Sequence, residues 1–283
     1  MPYAEVNGIR FHHTDTGPPP DRPDAPALVM GHGLLFSGWM FHHQVEALAS
    51  EYRCITVDWR GQGRTPPVPA SGGGAGRRGP RYAADMDSLT DDLVALLDHL
   101  GLERVHYAGL SMGGFVGMRL AARHPERVRS LILLDTSAGP EDPEKVKRYR
   151  LLARAYRWLG MRPVRKQVEP IMFGPTLLSS PRREEVVGPW MENLSAVDRS
   201  GMQAAILGVT DRSAVVSELG SITAPTLVIV GADDVATPVR KSEVIVAGID
   251  DSSLAVVPEA GHSSTVEQPE AVTGLMRDFL ATR

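Results

Sequence analysis

Short apolar runs rich in β-branched residues alternate along most of this chain with longer segments of helical periodicity. The runs lie at 27–30, 53–57, 104–109, 128–134, 225–230 and 253–257. Segments whose apolar residues recur at helical spacing lie at 37–49, 87–100, 112–124, 239–248 and 268–281. Strands that are apolar on both faces are typical of a parallel sheet covered by helices on each side. The alternation therefore predicts an α/β fold with a mostly parallel sheet.

The first residues predict an antiparallel start to this sheet. Residues 3–16 contain two short β-rich runs joined by Asn7-Gly8, a dipeptide that readily adopts the positive φ of a hairpin turn. Two hairpin strands and six further runs predict a sheet of eight strands.

Residues 140–215 interrupt the alternation, because they contain helical patterns but no strand-like run. We interpret them as a helical cap inserted into a core made of residues 1–139 and 216–283. The first cap helix carries Arg150, Arg154 and Arg157 on one face, which we expect to be solvated, with an anion-steering surface as the alternative. A second interruption, the Gly- and Pro-rich segment 66–81, predicts a surface loop.

Composition limits the classes of partner. The 283 residues are 42% apolar and 23% charged, with a formal charge of −4. This balance offers no general attraction to phosphate backbones or anionic lipid, so we expect neither nucleic acid nor a membrane as a partner. The N-terminal residues resemble no signal peptide and the single cysteine, Cys54, can form no internal disulfide, so a cytoplasmic location is expected. The sequence leaves the oligomeric state open.

The segment Gly109-Leu110-Ser111-Met112-Gly113 lies between a predicted strand and a predicted helix. A G-x-S-x-G motif in that setting predicts a tight elbow that exposes the serine hydroxyl at the sheet edge. Ser111 is therefore the candidate nucleophile, and a helix N-cap is the plainer alternative for it.

A serine hydroxyl needs a base, and the base needs an acid to orient it. His262 follows the last predicted strand, which places it on the same edge of the sheet. After the strand at 225–230 come Asp233 and Asp234, of which we favour Asp234 as the acid. Asp233 and Asp135, which ends the run at 128–134, stay open as alternatives.

Two backbone N–H groups are expected to stabilise an oxyanion, those of Leu34 and Met112. Leu34 ends the turn Gly31-His32-Gly33-Leu34, in which His32 is interpreted as structural. Gly33, Trp158 and Trp190 are the candidate substrate contacts. No histidine, cysteine or carboxylate spacing suggests a metal site, and no cofactor is expected.

These motifs together resemble those of the α/β-hydrolase superfamily over nearly the whole chain. The matching segments are Gly31-His32-Gly33-Leu34, Asp58-Trp59-Arg60-Gly61-Gln62-Gly63, the Ser111 elbow, Asp234-Val235-Ala236-Thr237-Pro238 and Ala260-Gly261-His262. Within the superfamily the chain looks like small bacterial carboxylesterases and enol-lactonases, notably through Gly261-His262-Ser263-Ser264-Thr265-Val266-Glu267-Gln268-Pro269-Glu270. Ser111 differs from the elbow aspartate of dehalogenases and epoxide hydrolases. An enol-lactonase would need a cationic pocket, which the arginine-rich cap helix could supply.

The expected activity is hydrolysis of a small-molecule carboxylic ester or lactone through an acyl-Ser111 intermediate. Carbon–carbon bond hydrolysis and a perhydrolase or haloperoxidase-type reaction use the same triad and are alternatives. A ligand-binding protein that retains the scaffold without catalysis is a third hypothesis.

Overall fold

The computed structural model describes residues 2–68 and 84–283, so the predicted loop at 66–81 lies outside the described residues from residue 69 onward. One sheet of eight strands forms within them. The strands are β1 (Tyr3–Val6), β2 (Ile9–Asp15), β3 (Ala27–Gly31), β4 (Arg53–Val57), β5 (Val105–Leu110), β6 (Val128–Leu134), β7 (Thr226–Gly231) and β8 (Ser252–Val257).

The spatial order of the strands is β1-β2-β4-β3-β5-β6-β7-β8. From β4 to β8 all neighbouring strands pair in parallel, whereas β1–β2 and β2–β4 pair antiparallel. The predicted hairpin and the predicted mostly parallel, eight-stranded sheet are thus confirmed. Because parallel strands share a direction, the loops after β3, β5, β7 and β8 all emerge at one edge of the sheet.

Helices cover both faces of the sheet. They are α1 (His42–Leu48), α2 (Met86–His99), α3 (Met112–Arg123), α4 (Pro143–Leu159), α5 (Arg165–Met172), α6 (Pro175–Ser179), α7 (Arg183–Ser195), α8 (Arg199–Thr210), α9 (Val239–Gly248), α10 (Ser264–Glu267) and α11 (Pro269–Leu280). Among the described residues, none of these helices has both the length and the apolar character that crossing a bilayer requires.

Successive residues of each central strand point to opposite faces and so build two apolar layers. In β3, Val29 joins the layer that contains the buried residues of α2 and α3. Its neighbours Leu28 and Met30 join the opposite layer, together with residues of α1 and α11. This double burial explains why the strands read as uninterrupted apolar runs.

Helices α4 to α8 occupy the stretch between β6 and β7, and no strand interrupts residues 140–215, all of which the structure describes. Helices α4 and α8 pack against each other. Buried residues of these helices, among them Tyr156 and Trp190, belong to the same apolar layer as Leu28 and Met30.

Candidate active site

Ser111 lies at the sharp turn between β5 and α3. Its backbone has φ 51° and ψ −106°, a conformation that a residue with a side chain rarely adopts and that costs on the order of 1–3 kcal/mol. The surrounding glycines make the turn possible: a Cβ on Gly113 would lie 1.9 Å from the carbonyl oxygen of Gly31, and one on Gly109 would lie 2.3 Å from that of Gly113. The hydroxyl of Ser111 is thereby held at the sheet edge.

His262 reaches this hydroxyl from the loop after β8. Its Nε2 lies 3.0 Å from Ser111 Oγ and its Nδ1 lies 2.9 Å from Asp234 Oδ2. A carboxylate only accepts hydrogen bonds, so Nδ1 carries the proton and Nε2 is free to accept one from Ser111. The three side chains form an unbroken hydrogen-bonded row.

Asp234 is fixed in the turn after β7 by its own neighbours. Its Oδ1 accepts the N–H groups of Ala236 and Thr237 at 2.8 and 2.9 Å, and its Oδ2 accepts the Thr237 hydroxyl at 2.6 Å. Burial opposes ionisation of this carboxyl, but His262 and the hydrogen bonds from Thr237 outweigh it and lower the pKa of Asp234. The acid is therefore a carboxylate at neutral pH.

The pKa of His262 moves in the opposite direction. Burial disfavours the imidazolium, but the charge and hydrogen bond of Asp234 outweigh burial, so the pKa is raised above 6.5. His262 is thus a stronger base than a free imidazole, which suits a group that must take a proton from a hydroxyl.

The two alternative acids lie elsewhere. Asp233 is exposed, and its backbone N–H donates to Ala260. Asp135 is fully buried and accepts the N–H of Gly231 at 2.8 Å and the hydroxyl of Ser264. Burial and the nearby charge of Asp234 raise the pKa of Asp135. Neither side chain is hydrogen-bonded to His262.

Two turns present backbone donors beside the hydroxyl. Met112 is the first residue of α3, and Leu34 follows β3 and lines the same cavity as Ser111. Neither N–H has an acceptor among the residues that the structure describes. This arrangement is the one expected of a site that stabilises a developing oxyanion.

The side chains of His32 and Trp190 are hydrogen-bonded to backbone carbonyl groups on either side of Leu34. The Nδ1 of His32 lies 2.7 Å from Gly33 O, and its Nε2 accepts the N–H of Trp59 at 3.1 Å. Burial lowers the pKa of His32, so the ring is neutral and structural. The Nε1 of Trp190 donates to the carbonyl of Leu35 at 3.0 Å.

An apolar cavity opens beside Ser111 and His262. An apolar cleft with a few polar groups is the usual form of a site for a small organic molecule. Much of its wall comes from α4, α5 and α8, including Leu152, Val168, Ile171, Met172 and Ile206.

None of the three predicted substrate contacts lines this cavity. Trp158 is 76% exposed because it points outward from α4, away from the cavity-lining Tyr156. Trp190 is buried behind the Leu34 turn, and Gly33 uses its N–H to donate to the sulfur of Met40 at 3.2 Å. Within residues 2–68 and 84–283, no group of three His, Cys, Asp or Glu side chains is arranged to hold a metal ion.

Comparison of the sequence with known protein families identifies the family of this chain. Residues 26–269 match the sequence profile of the family described as alpha/beta hydrolase fold. The chain belongs to the α/β hydrolase family.

Several α/β hydrolases are similar over nearly the whole chain. The 3-oxoadipate enol-lactonase 2 of Acinetobacter baylyi is 30% identical, with 90% of each protein covered. A 2-hydroxy-6-oxononadienedioate/2-hydroxy-6-oxononatrienedioate hydrolase of Cupriavidus pinatubonensis is 29% identical, covering 96% of this chain and 91% of the relative. The structure of a thermophilic esterase from Thermogutta terrifontis superposes with a TM-score of 0.85 at 30% identity, covering 100% of this chain and 97% of that one.

Sequence analysis assigned no role to one residue at this α/β hydrolase site, Glu267. Its buried carboxylate accepts three backbone N–H groups: those of Gly261 and Ser263 at 3.0 Å, on either side of His262, and that of Gly174 at 2.8 Å, from the turn between α5 and α6. Glu267 thus ties the histidine loop to the helices between β6 and β7. Its place five residues after His262 was the signal available in the sequence.

Proposed function

We propose that this α/β hydrolase cleaves carboxylic esters or lactones, with Ser111 as nucleophile, His262 as general base and acid, and Asp234 as the orienting carboxylate. The observation that carries the proposal is the continuous row of hydrogen bonds, 2.9 Å from Asp234 to His262 and 3.0 Å from His262 to Ser111. A base must lie within about 2.6–3.2 Å of the atom it deprotonates, and His262 satisfies this condition.

The first half of the reaction forms an acyl-enzyme. Ser111 Oγ attacks the substrate carbonyl carbon while its proton passes to His262 Nε2, and the N–H groups of Leu34 and Met112 stabilise the tetrahedral oxyanion. The bond to the alcohol oxygen then breaks, and His262 returns the proton to that oxygen. The acyl group stays esterified to Ser111.

The second half of the reaction releases the acid. His262 Nε2 takes a proton from a water molecule, whose oxygen attacks the acyl carbonyl carbon. The ester bond to Ser111 breaks, and Oγ recovers the proton from His262. We further propose that helices α4 to α8 act as a cap, since α4, α5 and α8 supply much of the cavity wall beside the nucleophile.

Purified protein tests this proposal with short p-nitrophenyl esters. We expect a burst of p-nitrophenol followed by steady turnover, and covalent labelling of Ser111 by a fluorophosphonate. Ser111→Ala should abolish both, while Ser217→Ala, at an exposed serine, should keep both. Near-wild-type turnover by Ser111→Ala would overturn the proposed mechanism.

Carbon–carbon bond hydrolysis is a second candidate, favoured by the similarity to the Cupriavidus pinatubonensis hydrolase. The same nucleophile and base would serve, with a carbanion equivalent in place of the alcohol leaving group. Comparing kcat/KM for an ester and for a β-diketone separates the two reactions. Preferential cleavage of the β-diketone would favour this second candidate.

A further inference from the structure

The walls of the cavity beside Ser111 carry an unusual charge distribution. Among the residues that the structure describes, no lysine or arginine lines it. Among the described residues that line it, Glu141, which precedes α4, contributes the carboxylate. The wall is otherwise apolar, with tyrosine and threonine hydroxyls as its other polar side chains besides Ser111.

Glu141 is held by a cation that lies behind the wall. Arg212 donates from Nη1 to Glu141 Oε2 at 3.0 Å, and the two side chains are 1% and 9% exposed, respectively. The same guanidinium donates to Val209 O and Ser137 Oγ and lies 4.2 Å from the ring centre of Phe115. Arg212 is thus committed to protein partners, and the carboxylate of the pair is the member that lines the cavity.

A second cation near this pair is also withdrawn from the cavity. Burial and the charge of Arg212 lower the pKa of Lys241, and the charge of Glu141 only partly offsets them by raising it. Lys241 lines no part of the cavity.

The arginines of α4 do not supply the cationic pocket that the enol-lactonase resemblance implied. Tyr149, Leu152 and Tyr156 of α4 line the cavity. Arg154 is exposed, and Arg150 pairs with Asp211 at 2.8 Å on the protein surface. The basic face of α4 therefore points away from the substrate.

A substrate carboxylate in this cavity would be strongly disfavoured. It would lose hydration against an apolar wall, find no lysine or arginine among the described residues that line the cavity, and lie near the carboxylate of Glu141, whose partner Arg212 is not a lining residue. An uncharged apolar group in the same place would gain free energy from burial instead.

We propose that the site selects uncharged, apolar esters or lactones and rejects substrates whose cavity-bound part carries a carboxylate, with Glu141 as the residue that discriminates charge. This inference rests on the proposed function, but the two would fail differently. If the proposed function is wrong, no ester of any kind is hydrolysed through Ser111. If only the inference is wrong, charged and neutral esters are hydrolysed alike.

A matched set of acyl groups tests the proposal. p-Nitrophenyl hexanoate, mono-p-nitrophenyl adipate and the methyl ester of that adipate share a chain of six acyl carbons, but the second alone carries a carboxylate. We expect the two neutral esters to be hydrolysed and the hemi-adipate to have a kcat/KM about 100-fold lower. Hexyl acetate and 6-acetoxyhexanoate repeat the comparison on the alcohol side. The proposal would be overturned if the kcat/KM values of hemi-adipate and 6-acetoxyhexanoate were each within threefold of the value for the neutral counterpart.

Two variants assign the discrimination to the cavity wall. Glu141→Gln should raise the ratio of hemi-adipate to methyl adipate turnover about tenfold, whereas Glu144→Gln, at an exposed residue of α4, should leave it unchanged. Leu152→Arg adds a cation to the wall without disturbing the Arg212 pair, so it should also raise the ratio. It provides a second test of the charge selectivity if Glu141→Gln folds poorly. An unchanged ratio in folded Glu141→Gln would refute the role of Glu141.

Discussion

The carboxylate of Asp234 has every hydrogen-bonding direction occupied before any substrate arrives. Three bonds come from its own turn, and the fourth partner is His262. Because the turn fixes the carboxylate, the carboxylate in turn fixes the tautomer and orientation of the imidazole. The proton-accepting geometry is therefore a property of the folded chain.

The raised pKa of His262 predicts the pH dependence of turnover. The neutral imidazole is the active form, so kcat/KM should fall as pH drops through the His262 pKa, and the midpoint should lie above pH 6.5. Asp234→Asn removes the charge that raises this pKa, so the midpoint should move down while kcat falls by about 10⁴. A pH series of kcat/KM measures both effects.

The adjacent carboxylate supplies the control. Asp233→Asn alters an exposed side chain, and we expect its pH profile to overlay that of the unmodified protein. If Asp233→Asn rather than Asp234→Asn lowered kcat, the assignment of the acid would be refuted.

At the scale of elements, the elbow between β5 and α3 depends on contacts too close for any side chain. Gly113→Ala would place a Cβ 1.9 Å from the carbonyl oxygen of Gly31, so we expect a loss of about 3 kcal/mol in the free energy of unfolding. A Cβ added at Gly188 in α7 meets nothing within 4 Å, so Gly188→Ala should raise the free energy of unfolding by about 0.5–1 kcal/mol. Urea unfolding of both variants measures the contrast, and equal effects would contradict it.

The strands, the helices and the three hydrogen-bonded catalytic candidates could be predicted from the sequence because their signals are local. Apolar runs mark strands, and strand ends place Ser111, Asp234 and His262 at one edge. The substrate contacts were not predictable in this way. Trp158 lies two positions after the cavity-lining Tyr156, about 200° around the helix, and composition alone does not reveal which side faces inward.

Glu267 and Glu141 escaped sequence analysis for a related reason. Each acts through partners distant in the chain, Gly174 in one case and Arg212 in the other. A lone glutamate in a sequence is normally interpreted as a solvated residue. Burial, which only the fold establishes, turns it into a structural or selective group.

For the molecule as a whole, Glu267 joins the histidine loop to the helices above the site. Glu267→Gln keeps the volume but loses the charge, so we expect weaker bonds to the three N–H groups and a loss of about 1–3 kcal/mol in stability. The charge of Glu267 also raises the pKa of His262, so the acid limb of the pH profile should move to lower pH. Denaturant unfolding and a pH series of kcat/KM measure the two effects.

The exposed neighbour Glu270 provides the comparison, since Glu270→Gln should change neither quantity. A variant Glu267→Gln that loses stability yet keeps its acid limb would limit Glu267 to a structural role.

Strands β6 and β7 lie side by side in the sheet, although helices α4 to α8 come between them in the chain. An insertion between two strands that are neighbours in the sheet can change in length and sequence without shifting any strand pairing. Ser111, Asp234 and His262 therefore lie outside the stretch that supplies much of the cavity wall. An exchanged stretch would leave the strands paired, but it would have to keep a donor in the place of Gly174 for Glu267.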